Sequence, residues 1–247
     1  MCTKAMLPLF PFDTTLDTFL GGTLQVRQSR TGYRFSVDAL LLSQFAKIKK
    51  YERVIDLGTG CAILPLLLSR ATTCSSFVGV EVQKSLAEVA QDNIRLNRLQ
   101  GRITILQRDY RDLKGVFPAG AFDVVVSNPP YRRYRSGRMN PIAEKAVARH
   151  EVLGTLEDLI DATDYLLPPK GRCYVIFPAM RLVDLVATLR HGKLEPKRLR
   201  FVHPRPGGAA RFVLAESVKG SGVELEVMSP LILGEVAEAA PGSQKRL

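Results

Sequence analysis

Asn128-Pro129-Pro130-Tyr131 follows directly on Val124-Val125-Val126-Ser127. Three β-branched residues in a row read as a strand buried on both faces, as in a parallel sheet. Pro129 and Pro130 carry no amide N–H and end the ladder, and Pro129 biases Asn128 toward an extended backbone. Asn128 is thus set in a stiff turn at the carboxyl end of a strand, where open α/β sheets bind ligands. The Asn128 side-chain oxygen and the Pro129 carbonyl can each accept one hydrogen of an exocyclic NH2 group, while Tyr131 stacks on the ring that bears it. Taken alone, the four residues describe an Asn-Pro turn with an exposed tyrosine more readily than a site. The weight shifts with what lies upstream.

Val54-Ile55-Asp56-Leu57-Gly58-Thr59-Gly60-Cys61-Ala62-Ile63 reads as strand, glycine turn and helix, with Pro65 tolerated in the first helical turn. Gly58 and Gly60 allow a ligand close to the backbone, and the helix behind them offers free N–H groups. A dinucleotide site needs a third glycine where Ile63 stands. Asp56 is also badly placed for a pyrophosphate and well placed for an ammonium group. Phe77–Glu81 forms a second strand whose terminal acid lies about 20 residues past the turn, where this class of fold grips ribose hydroxyls. The alternative for Glu81 is a solvated strand-end acid. Ile103–Leu106 is a third strand, and Asp109 beyond it suits the exocyclic N–H of an adenine, or is simply a loop acid beside Arg108 and Arg111.

The elements that position these residues alternate along the chain. Residues 1–20 read as an irregular lead-in, and Thr23–Arg27 pairs with Tyr33–Phe35 as a hairpin around Ser29 and Gly32. That gives a lead-in and hairpin over 1–35, one domain over 36–240 and a frayed tail over 241–247. Ser36 caps a helix with Asp38 in its first turn. Lys84–Asn97 has helical periodicity, and Phe122–Ser127 is the fourth strand. Arg132, Arg133, Tyr134, Arg135 and Arg138 fall in a long aperiodic segment and suit phosphate contacts with base stacking, or form a solvated loop. Thr155 caps the next helix, Arg172–Phe177 is the fifth strand, and Arg181–His191 is a helix closed by Gly192. Leu194–Val202 and Phe212–Val218 make a final strand pair. Between Lys193 and Arg211 stand six Lys/Arg and one acid, so Lys197, Arg198 and Arg200 offer a basic edge to a phosphate backbone.

With 247 residues, 46% apolar and 24% charged, the chain has room for one sizeable α/β core. A formal charge of +11 points to an anionic partner, nucleic acid ahead of membrane, or to a generally basic surface. Four cysteines without a C-x-x-C pair and three histidines without metal-like spacing argue against zinc and disulfides and for a reducing cytoplasm. The N-terminal apolar run is broken by Pro8 and Pro11, and no run reaches membrane-spanning length, so neither signal peptide nor membrane anchor is expected.

Asp56-x-Gly58-x-Gly60, Glu81, Asp109 and Asn128-Pro129-Pro130-Tyr131 together resemble the Rossmann-like class of S-adenosylmethionine-dependent methyltransferases that modify amino groups conjugated to a π system. Asp17–Gly22, Gly32–Leu42, Asp56–Cys61 and Arg198–Pro204 narrow the resemblance to the bacterial tRNA(Val) adenine-N6-methyltransferase family, over about residues 15 to 233. The resemblance implies a mostly parallel seven-stranded sheet in the order 3-2-1-4-5-7-6, its last strand antiparallel, with helices on both faces. It implies S-adenosyl-L-methionine held by Asp56, Gly58, Thr59, Gly60, Cys61, Glu81 and Asp109, with Ser36 and Asp38 at the methionine end. It further implies catalysis by Asn128, Pro129, Pro130 and Tyr131, no metal, and a tRNA anticodon arm as partner, while the sequence leaves monomer and weak dimer both open. Ala62 stands where the family usually has glycine, which a negative φ there would accommodate. Glutamine methylation of a protein, guanine or DNA-amine methylation, and a noncatalytic RNA-binding module remain as alternatives.

Overall fold

The computed structural model describes residues 13–30, 37–72, 76–129 and 154–234. Its first element corrects the expected lead-in: β1 (Thr14–Phe19) pairs antiparallel with β2 (Leu24–Ser29), Phe19 opposite Leu24. The hairpin turns at Leu20, Gly21 and Gly22, three successive residues at positive φ, a bend that the two glycines make inexpensive. The sequence reading placed the turn at Ser29–Gly32 and so shifted the pairing by one strand. Tyr33–Phe35 and the tail at 241–247 lie outside the described residues.

Behind the hairpin come α1 (Val37–Phe45), β3 (Arg53–Leu57), α2 (Ile63–Ala71), β4 (Ser76–Glu81), α3 (Lys84–Leu96), β5 (Ile103–Gln107) and β6 (Val124–Ser127). After the undescribed stretch follow α4 (Leu156–Leu166), β7 (Arg172–Pro178), α5 (Leu182–His191), β8 (Leu194–His203) and β9 (Phe212–Lys219). The sheet runs β5-β4-β3-β6-β7-β9-β8, and β9 is antiparallel to both of its neighbours. This is the expected order. The difference is at the edge, where β10 (Glu226–Val227) and β11 (Leu231–Ile232) pair in parallel with β8 and raise the count to nine. Two-residue strands carry no periodic signal and cannot be read from sequence.

Alternation along the strands divides the core in two. Val124 and Val126 join one apolar cluster with α1, α2, α3 and the hairpin residues Leu24 and Val26. Val125 joins the other, with Leu159 and Leu166 of α4 and Leu185 and Leu189 of α5. The capping box at Thr155 forms as expected, its hydroxyl accepting from the Asp158 amide at 3.1 Å while Asp158 accepts from the Thr155 amide at 2.8 Å. Gly192 does end α5, but at φ −81, so handedness is not its purpose. A Cβ there would run into Ile160 of α4, and glycine lets the two helices close up. Among the described residues no helix is long and apolar enough to cross a membrane.

The hairpin is bolted to the domain by side chains that imitate a strand partner. Asn93, with no exposed surface, accepts from the Arg27 amide and donates to the Arg27 carbonyl at 2.8 Å and to the Cys61 carbonyl at 2.9 Å. Asn97, one turn on, repeats the pattern with the amide and carbonyl of Gln25. Arg27 and Asp92 add a largely buried ion pair at 2.7 Å. Replacing Asn93 leaves three backbone groups without their partner, two of them on β2 and one on the glycine turn. Asn93→Ala is expected to cost about 2–4 kcal/mol in urea unfolding. A loss below about 1 kcal/mol would contradict this account of how the hairpin is held.

Candidate active site

Parallel pairing fixes which residues meet at the carboxyl ends of the strands. Asp56 of β3 is level with Val126 of β6, Leu57 with Val80 of β4, and Glu81 with Gln107 of β5. Gly58, Glu81, Asp109 and Asn128 therefore emerge side by side on one rim. The Gly58 and Thr59 amides both donate to the Val80 carbonyl, at 3.0 and 2.9 Å, and this turns the chain across the end of β4. Gly58 at φ 79 and Gly60 at φ 57 make the turn possible. Glu81 fixes its far side, with Oε2 accepting from the Gly60 amide and Oε1 from the Gln83 amide, each at 2.9 Å. The Thr59 side chain fills the space above Gly79, where a Cβ would sit 2.8 Å from its hydroxyl oxygen.

Asp56 is the costliest residue of the rim. It is 2% exposed, and neither carboxylate oxygen finds a hydrogen-bond partner among the described residues. The buried Thr59 hydroxyl is likewise unpartnered. Burial pushes the Asp56 carboxyl up to about 7 and neighbouring Glu81 adds to the rise. The Thr59 hydroxyl lies near enough to oppose it without reaching hydrogen-bond geometry. Burial likewise raises Glu81 against the pull of the Gln83 and Gly60 amides. Two close acids, with three buried oxygens of Asp56 and Thr59 left without a donor among the described residues, mark a place that lacks cations and hydrogen-bond donors. The Cys61 thiol beside them is pushed up to about 12 by burial and stays protonated, so it is no nucleophile.

Ala62 departs from expectation. Its φ is +67, in the left-handed region, rather than negative. The strain is of the order of 1–2 kcal/mol. The methyl group is wholly buried in the apolar cluster under the turn, which offsets much of that cost. An alanine can therefore occupy this position.

The other candidates fall into three groups. Asn128 and Pro129 stand half-buried at the rim, and Ser127 just before them donates to the Leu57 carbonyl at 2.7 Å, tying the end of β6 to that of β3. Asp38 is buried in the first turn of α1. Asp109 is engaged with Arg111, whose amide and Nε reach it at 2.9 and 3.0 Å. Partial burial works against Asp109 ionisation, but these contacts outweigh it and hold the carboxyl below its ordinary range. Ser36, Pro130, Tyr131, Arg132, Arg133, Tyr134, Arg135 and Arg138 lie outside the described residues.

The basic edge is less available than its composition suggests. Arg198 is half-buried in an ion pair with Glu216 and stacks on Phe45, 4.8 Å from the ring centroid, so its charge is already committed. Lys197 donates to the Gly222 carbonyl at 3.0 Å and Arg200 to the Ser229 carbonyl at 3.1 Å. Sequence reasoning missed Asn93 and Ser127, which hold the glycine turn and the end of β6. The signal for Asn93 was present: an amide on the face of α3 that carries Leu86, Val89 and Ala90 has to find partners.

Residues 36–176 match the profile of the methyltransferase small domain. The chain belongs to that family. A tRNA1(Val) (adenine(37)-N6)-methyltransferase of Porphyromonas gingivalis is 30% identical over 206 residues, covering 81% of this chain and 80% of the relative. A protein of the same name from Tolumonas auensis is 29% identical over 192 residues, covering 76% and 78%. Among solved structures, an Agrobacterium tumefaciens protein described as a predicted O-methyltransferase superposes with a TM-score of 0.66 at 22% identity, over 85% of this chain and 91% of that one. The last likeness is one of fold.

The acidity of Asp56 has a measurable consequence for the family's rim in this chain. The folded protein keeps the Asp56 proton up to about pH 7, whereas the unfolded chain releases it near its ordinary 3.8. Between those values the folded state binds more protons, so stability contributed here falls as pH rises and levels off above the window. Asp56→Asn is therefore expected to melt above the parent protein at pH 8, with the gap closing as pH falls from 7 to 4. The change amounts to a few kcal/mol. A gap that does not vary with pH in melts of the cofactor-free protein would count against the assignment.

Proposed function

We propose that this protein transfers a methyl group from S-adenosylmethionine to the N6 amino group of an adenosine in tRNA, the purine on the 3′ side of the anticodon, in the cytoplasm. The observation that carries the reading is the placement of Asn128 at the end of a buried strand, one strand away from Asp56 and the glycine turn. Sequence identity of 30% over most of its length to a tRNA adenine-N6 relative, and a charge of +11, support a tRNA over a protein substrate.

The residues of the rim fit the methyl donor. Asp56 and Thr59 present unpaired acceptors to its ammonium group. Glu81 keeps lone pairs for ribose hydroxyls while bracing Gly60. Asp38, with Ser36, is assigned to the methionine end. Asp109 serves the adenine only by sharing its carboxylate with Arg111. When bound, the donor supplies an electrophilic methyl carried on a sulfonium.

What the chain does is align and polarise. The Asn128 side-chain oxygen and the Pro129 carbonyl accept the two N6 hydrogens of the substrate adenine. This turns the nitrogen lone pair out of conjugation and toward the methyl. Both dipoles stabilise positive charge as it develops on nitrogen, the same physics as an oxyanion hole with the sign reversed. Tyr131 receives the extruded base, whose unstacking costs a few kcal/mol. Alignment of the reacting atoms supplies about 7–11 kcal/mol in favourable systems.

Asn128→Ala should reduce methylation of tRNA by about 100-fold or more. Its affinity for S-adenosylmethionine by calorimetry should stay within about threefold of the parent, because Asn128 meets the acceptor. Near-parental turnover, scored as N6-methyladenosine by mass spectrometry of digested tRNA, would remove Asn128 from the mechanism.

A further inference from the structure

β8 runs parallel to β6 and β7, and β9 turns back beside it, so the basic connection between them sits at the same end of the sheet as Asn128. Pro178 of β7, Phe212 of β9 and Val202 of β8 are level with one another. Ser127 of β6 is level with Val175, three residues below Pro178, so the 204–211 connection projects about 10 Å beyond the end of β6. β9 is two strands from β6, which sets Arg211 about 10 Å to the side of the Asn128 turn. Lys197 and Lys193 lie on β8 or just before it, about 16 and 30 Å from Val202 toward the opposite end of the sheet.

The connection is built rather than loose. The Arg211 amide donates to the Val202 carbonyl at 2.8 Å, and its carbonyl accepts from the Ala179 amide at 3.0 Å, joining the exits of β7 and β8 to the entry of β9. His203 Nδ1 donates to the Gly208 carbonyl at 2.7 Å and closes the segment on itself. Arg205 and Arg211 are both exposed, and neither has a carboxylate partner among the described residues. The Arg211 guanidinium sits 5.1 Å from the centroid of Phe212, which fixes its direction at the rim. Next to it Met180, 92% exposed, stands on the turn that leaves β7. Two uncompensated arginines and one exposed apolar side chain beside the acceptor turn match a nucleotide strand, with phosphates for the cations and a base for the methionine.

Resting on the proposed tRNA activity, we infer that Arg205 and Arg211, with Met180 between the strand exits, form the surface that grips the phosphates flanking the target adenosine. The Lys193–Arg200 side of β8 takes no part. The partner is RNA because the patch is positive and unpaired and shares a rim with the residues that receive the base. An acidic protein would leave the exposed apolar group and the neighbouring acceptor turn without a role.

The test measures binding of an unmodified valine-tRNA anticodon stem-loop across a range of salt. Arg205→Gln/Arg211→Gln should weaken binding at least tenfold at moderate salt and make the salt slope shallower by about 1.4, the value for two phosphates on a single strand. Arg205→Lys/Arg211→Lys should recover the slope, and Met180→Ala should weaken binding without altering it. Lys193→Gln/Lys197→Gln should stay within twofold of the parent in affinity. All variants should bind S-adenosylmethionine as the parent does, which controls for folding. An unchanged slope in the arginine-to-glutamine variant, or loss confined to the lysine pair, would overturn the surface while leaving tRNA as substrate. Loss of binding to an acidic polypeptide with RNA binding intact would overturn it in favour of a protein partner. A parent protein that binds no RNA at all would overturn the tRNA reading itself.

Discussion

Parallel strand pairing is the constraint from which the rest of this molecule follows. Each parallel neighbour must enter the sheet from the same side, so five consecutive strands, β5-β4-β3-β6-β7, end on a single edge. Nothing else in the fold would bring an acid near residue 56, another near 81 and an amide at 128 into one line. Among the described residues, helices that return the chain pack apolar clusters against both faces of the sheet. Function therefore concentrates where loops replace ladder hydrogen bonds.

That edge is held together by polar side chains acting on backbone. Glu81 braces the Gly60 amide, Ser127 ties β6 to the Leu57 carbonyl, and Asn93 reaches from α3 to the Cys61 carbonyl. Each contact spends a buried polar group to fix a loop that apolar packing alone would leave adjustable. Asp56 is the exception, since it braces nothing among the described residues and its burial is unfavourable to the empty fold. A residue that costs stability and is surrounded by others that supply it has the pattern of a ligand group kept ready.

Much of the rim was legible because its signals are local. Valine runs ended by prolines, glycines at a turn and acids at strand ends each span only a few residues. What escaped was set at long range or by sign. The Arg198 charge looks available in sequence, and only the pairing of β8 with β9 reveals that Glu216 takes it. The hairpin was shifted because two turn-like segments flank one strand, and choosing between them depends on the docking of β2 against Asn93 and Asn97. The left-handed geometry at Ala62 contradicted expectation, since an alanine does not announce a positive φ.

The antiparallel strand of the central sheet has a topological consequence. β8 runs parallel to β7 and ends on the same edge, and a parallel β9 would first have needed a crossover back to the opposite edge. By running backward, β9 leaves that edge directly after β8, through the eight residues 204–211. The 204–211 connection is thereby remote in sequence from the glycine turn although both lie on one edge. A change of length or charge between β8 and β9 therefore alters one part of that edge and leaves the residues of the glycine turn as they are.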